Sequence, residues 1–233
     1  MNTKKLVAGT EVLVGTMLIV LIAYGMYLRF FVGSEEFVKF VREDGPVEYL
    51  TAFFLFFCSL VCLYRVTKYW KSGKKPLVIT WILLAILFFF AAGEEISWGQ
   101  RIFNTESGDF FKQHNKQAET NLHNLVIKGH SLNKLIFSRL IFAVLIIYFM
   151  FSHIMTNKIR FIHKMVVQYH IPLPKKHHII LMVTATLMIL TLQMTKDSEL
   201  YELSFALVFF LIFINPSEIA DDVSGLDDKP LKE

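Results

Sequence analysis

Apolar residues fall along this chain in long unbroken blocks separated by short polar connections. Six blocks stand out, at 6–28, 47–64, 77–93, 135–155, 179–194 and 200–214. A helix needs about 20 apolar residues to cross a bilayer core, so the first four suit a crossing and the last two are short for one. Only helices and closed barrels satisfy their own backbone in lipid, and a barrel would alternate in polarity over segments of about ten residues. The pattern predicts an all-α, polytopic membrane helix bundle of about six transmembrane helices. Lys4 and Lys5 before the first block resemble the start of a signal peptide, but the block exceeds the usual apolar region of about 7–15 residues. Tyr24, Tyr27, Arg29 and Phe30 then mark an interfacial belt, so this helix is expected to be retained.

Composition agrees with the blocks: 54% of the 233 residues are hydrophobic and 23 are Phe, more apolar side chain than a soluble domain of this size carries. Cys58 and Cys62 lie four apart on one face of the second block and read as small packing residues. The net charge of +4 becomes informative once it is divided by connection. Basic residues gather at Lys4 and Lys5, at Arg65, Lys68, Lys71, Lys74 and Lys75, and at Lys158, Arg160, Lys164, Lys175 and Lys176. With alternating helices all three groups fall on one side, which the positive-inside rule makes cytoplasmic. The expected location is the cell membrane, multi-pass, with both termini cytoplasmic. The basic groups then set topology and interact with membrane lipids; they do not point to nucleic acid. Residues 1–216 are expected to form the bundle, including a 94–134 outer-face segment, and 217–233 an acidic, flexible cytoplasmic tail.

The three outer connections are acidic. The first carries Glu35, Glu36, Glu43 and Asp44, with Glu48 just inside the next helix, where Gly45 or Asp44 suits the N-cap and Pro46 the first turn. The third carries Asp197, Glu199 and Glu202. The second, 94–134, is too long for an ordinary linker and too rich in aromatic and aliphatic residues for a disordered one, which predicts an interfacial or re-entrant segment. It opens with Gly93-Glu94-Glu95-Ile96-Ser97-Trp98-Gly99-Gln100-Arg101. Two adjacent carboxylates at the end of an apolar run are expensive beside lipid and point to function. Glu94, Ser97, Trp98 and Arg101 stand at i, i+3, i+4 and i+7, so the third helix is expected to continue past the membrane with a polar face.

The candidate catalytic residues are Glu94, Glu95 and Arg101, with a carboxylate as general base and the guanidinium as anion clamp. The candidate metal ligands are Glu95, His114, Glu119 and His123, because Glu119 and His123 at i, i+4 would share a helix face and a divalent ion such as zinc takes three or four ligands of this kind. A plainer use of the same residues is an ion pair between Glu95 and Arg101 that locks the segment. His177 and His178, beside Lys175 and Lys176, read as interfacial side chains.

Glu94-Glu95 followed by Arg101 and by Phe110-x-x-x-His114 resembles the CAAX-type intramembrane endopeptidases, in which such residues imply a catalytic glutamate and water. Here the arginine comes six residues after the second glutamate instead of four. The bundle with acidic residues before an early helix is similar to the alkaline ceramidase-like hydrolases, which implies a histidine-bound zinc. The strings Gly93 to Arg101 and Asn121-Leu122-His123-Asn124 resemble the marks of an uncharacterised bacterial membrane family. These readings predict a membrane-embedded, metal-dependent hydrolase or transferase acting on a lipid or lipid-linked substrate at the outer face. The alternative is a non-catalytic component: an assembly partner in the membrane, an ion-binding subunit or a small transporter.

Overall fold

The computed structural model describes residues 3–122, 124–127, 130–131, 142–194 and 196–217. Among the described residues ten α-helices run in order: α1 Thr3–Tyr27, α2 Ser34–Phe40, α3 Pro46–Tyr69, α4 Lys75–Glu95, α5 Asp109–His114, α6 Phe142–Ile146, α7 Ser152–Lys158, α8 Arg160–Tyr169, α9 Lys176–Leu190 and α10 Ser198–Ile214. Short π or 3-10 turns at Leu28–Val32, Trp70–Ser72, Ser97–Gly99 and Ile147–Phe151 extend or link them, and a two-residue antiparallel ladder pairs Val126–Ile127 with His130–Ser131.

Three helical stretches are long and apolar enough to cross a membrane: Thr3–Val32, Pro46–Ser72 and Lys75–Glu95, of 30, 27 and 21 residues. Their composition is compatible with a membrane protein. The expectation of about six crossings is met only at this coarser level. Helices α9 and α10 have 15 and 17 residues, or about 22 and 25 Å at 1.5 Å per residue, below the roughly 30 Å of a hydrocarbon core. Part of the expected fourth crossing lies outside the described residues.

The shortness of α10 accompanies its position. It packs on α3, α9 and α1, and Leu200, Leu203, Leu207, Leu211, Ile212 and Phe213 are fully buried. A helix apolar on all sides reads the same whether protein or lipid surrounds it; here it is the centre of the bundle. The rings of Phe54, Phe88 and Trp81 meet those of Phe210, Phe209 and Phe213 edge-on around it. Its carboxyl end is capped by Arg65 of α3. Nη2 donates to Phe213 O at 2.7 Å and to Ile214 O at 3.0 Å, and Nε donates to Phe213 O at 3.0 Å. These are the orphan carbonyls that every helix end leaves.

Pairwise contacts sort the helix ends into two faces. One gathers the start of α1, the ends of α3 and α10, α8 and the start of α9: Thr80 donates to Tyr169 O at 2.6 Å, and Ser217 N to Leu173 O at 2.8 Å. The other gathers the start of α3, the ends of α4 and α9, and the start of α10. The expected tail, beyond Ser217, lies outside the described residues.

Candidate functional site

Pro46 takes the first position of α3 behind Gly45, as expected, and Glu48 reaches back to accept from Asp44 N. The continuation of α4 differs from expectation. The helix stops at Glu95 because Ser97, Trp98 and Gly99 are all left-handed, with φ of 46°, 56° and 73°. Such backbone is costly for Ser and Trp and persists only where surrounding contacts hold it. The Trp98 ring supplies one such contact. It folds back over Gly93, where a Cβ would lie 2.8 Å from the ring, and packs edge-on against Phe89 and Phe90.

The turn sends the polar side chains into a closed network. Glu94 Oε1 accepts from Trp98 Nε1 at 2.9 Å and Oε2 from Leu122 N at 2.6 Å. Glu119 accepts from Ser97 Oγ at 2.5 Å, from Arg101 Nε at 2.7 Å and from Asn121 Nδ2 at 3.2 Å. Asn121 also donates to Ser97 Oγ at 2.8 Å. Arg101 pairs with Asp44 from the first connection as well as with Glu119. Gln100 accepts from Thr120 N at 2.8 Å and donates to Ser107 Oγ at 2.7 Å. Asn115 turns the chain, its Oδ1 accepting from Gln117 N and Glu119 N at 2.9 and 3.2 Å. The three expected outer connections do meet: Gln117 bonds Glu43, and Lys196 lies 3.9 Å from the same carboxylate.

The candidate residues are therefore divided. Glu94, Arg101 and Glu119 belong to the network, and Arg101 is paired with Glu119 and Asp44 instead of Glu95. Glu119 sits in a turn, not on a helix. His114 Nδ1 pairs with Phe110 O at 2.9 Å, and the ring stacks on Phe110. His123 lies outside the described residues. Glu95 points the other way, into the bundle, where its carboxyl lies beside that of Glu202 of α10, with Glu199 and Glu48 within electrostatic reach. Among the described residues, Glu95, His114 and Glu119 do not gather as metal ligands.

A different cluster could hold a metal ion. Glu11 of α1, His177 and His178 bring their ligand atoms within 4.8 Å of one another at the opposite face. Glu11 Oε1 lies 2.9 Å from His177 Nε2 and 3.0 Å from His178 Nε2, and accepts from Asn215 Nδ2 at 3.0 Å. Lys175 N donates to His178 Nδ1 at 3.1 Å, which places the proton of a neutral His178 ring on Nε2 and directs it at Glu11. The residues from Lys175 to His178 drew attention in the sequence only as a basic interface; nothing there signals that Glu11 lies beside them. Protein-family models, curated proteins and solved structures offer no match to this chain.

Proposed function

We propose that the protein is a multi-pass protein of the cell membrane, with six crossings and both termini cytoplasmic, whose working groups are the Glu95 and Glu202 carboxyls at the outer face. The observation that supports this is the juxtaposition of the two carboxyls, from α4 and α10. Like charges side by side disfavour ionising both, so the pair tends to share a proton. One group is then an acid and its neighbour a base, which is what proton transfer to and from a reacting group requires. The reaction class is hydrolysis or group transfer on a lipid or lipid-linked substrate reaching the pair from the outer leaflet.

Arg101 does not act as an anion clamp in this reading, since Asp44 and Glu119 occupy it; it positions the segment over the bundle. Glu48 and Glu199 beside the pair favour a neutral or cationic substrate group over a phosphate. A zinc at Glu95, His114 and Glu119 is not carried forward, because those side chains serve separate networks. The saturated network around Glu119 favours a second reading, in which the outer segment is a rigid brace presented to a protein partner.

The test replaces Glu95 by Gln and Glu202 by Gln in cells that lack the wild-type gene, with the lipid profile followed by mass spectrometry. Both variants should keep the wild-type melting temperature in detergent and yet reproduce the lipid change caused by loss of the gene. Full complementation by both variants overturns the acid–base reading. A stoichiometric partner that co-purifies with wild type and is lost on Arg101→Ala would establish the second.

A further inference from the structure

We propose that Glu11, His177 and His178 form a zinc-type divalent metal site at the amino-terminal end of α1, the face opposite Glu95 and Glu202. The ligands come from two helices far apart in sequence and converge on one point. Glu11 Oε1 is 2.9 and 3.0 Å from the two imidazole Nε2 atoms. Around a tetrahedral zinc with bonds of about 2.0–2.1 Å, neighbouring ligand atoms stand roughly 3.3 Å apart, so the carboxylate need draw back from each imidazole by only about 0.4 Å. Two nitrogens and one oxygen make the donor set, and a fourth position is left for water. His178 is fully buried and Glu11 partly buried, while His177 is 54% exposed and sits on the side from which an ion can enter. The site ties α1 to α9, and through Asn215 to the end of α10.

Metal binding exacts a defined rearrangement. Each neutral ring that ligates through Nε2 carries its proton on Nδ1 instead. For His178 that nitrogen now accepts from Lys175 N, so the bond is lost on ligation and the first turn of α9 shifts. No net proton leaves a neutral imidazole in this exchange. Occupancy of the site is thereby coupled to the start of α9.

The experiment uses full-length protein, freed of any purification tag and titrated with Zn2+ and Co2+ in detergent. We expect about one ion per chain and visible d–d absorption of tetrahedral cobalt. Both signals should fall at least tenfold in Glu11→Gln and in the half-exposed His177→Ala, with helical circular dichroism unchanged. The Lys175 amide should lose hydrogen-exchange protection when zinc is added. Three results would each overturn the assignment: no ion bound by wild type at saturating zinc, equal binding by both variants, or a Lys175 amide equally protected with and without zinc. The readouts are independent of any outer-face chemistry, so this site stands or falls separately from Glu95 and Glu202.

Discussion

Replacing Glu119 by Ala should release the 97–122 segment from the bundle without unfolding the helices it packs on. Glu119 is 9% exposed and accepts from Ser97, Arg101 and Asn121, of which Ser97 and Asn121 are buried at 3% and 4%. Removing it leaves two buried polar groups short of an acceptor, each costing about 1–3 kcal/mol. Ser97 and Asn121 still have each other at 2.8 Å, and Arg101, about a third exposed, keeps Asp44, so solvent and the remaining partner soften its loss. The sum is about 3 kcal/mol, or roughly a hundredfold in the local opening equilibrium at 1.4 kcal/mol per tenfold. Hydrogen exchange followed by mass spectrometry is the assay. Peptides covering the amides of Gly99, Gln100, Thr120 and Leu122, each bonded within the segment, should exchange about a hundredfold faster. Peptides from the middle of α3 and α4 should not change. Exchange within threefold of wild type throughout 97–122 would refute the claim that this carboxylate holds the segment.

Gly93→Ala tests the left-handed turn. Its Cβ would sit 2.8 Å from the Trp98 ring, so the indole must leave, at a cost of about 1–3 kcal/mol. The check is a red shift in tryptophan fluorescence in a background lacking Trp70 and Trp81; an unshifted spectrum with wild-type stability would contradict it. Arg65→Ala uncovers the carbonyls of Phe213 and Ile214 and removes a guanidinium 5.1 Å from the Trp81 ring centroid. Charged hydrogen bonds of this kind contribute about 1.5–3 kcal/mol, so the melting temperature in detergent should fall by several degrees, and Lys at this position should recover only part of it.

Length and hydropathy made the helical blocks legible, and the polar break after Ala92 marked where the chain leaves α4 for the Glu94–Glu119 network. Pro46 and Gly45 predicted the start of α3 for a local reason: a missing N–H is harmless in a first helical turn. The spacing of Glu94, Ser97, Trp98 and Arg101 pointed to residues that do belong together. The helix inferred from it was wrong, because three successive left-handed residues are set by Trp98 packing over Gly93, and no periodicity announces that. The partner of Arg101 was misassigned for a similar reason. Glu95 is six residues away and Glu119 eighteen, and only the turn decides which is in reach. Glu202 looked like an ordinary carboxylate near a helix start, and His177 like an interfacial side chain, since their partners Glu95 and Glu11 are distant in sequence. The 200–214 block read as a short further span, and its central place in the bundle was not legible because apolar composition does not distinguish lipid from protein.

Glu94 and Glu95 show why adjacent acidic residues at the end of α4 need not share a task. Successive helical side chains diverge by about 100°. At the last turn of α4 one of those directions faces the returning segment and the other faces α10. Glu94, 8% exposed, spends both carboxylate oxygens on Trp98 and Leu122 and has no lone pair committed to the bundle. Glu95 has the opposite surroundings: its partner is another carboxyl group on a different helix. A group fully paired with fixed donors contributes rigidity, whereas a carboxyl placed beside a second acid can exchange a proton with it. The cap therefore holds the end of α4 through Glu94, and that restraint sets where Glu95 meets Glu202. Loosening the 97–122 segment at Glu119 should thus disturb the Glu95–Glu202 pair indirectly, which makes that segment part of the proposed site even though its own polar groups are already satisfied.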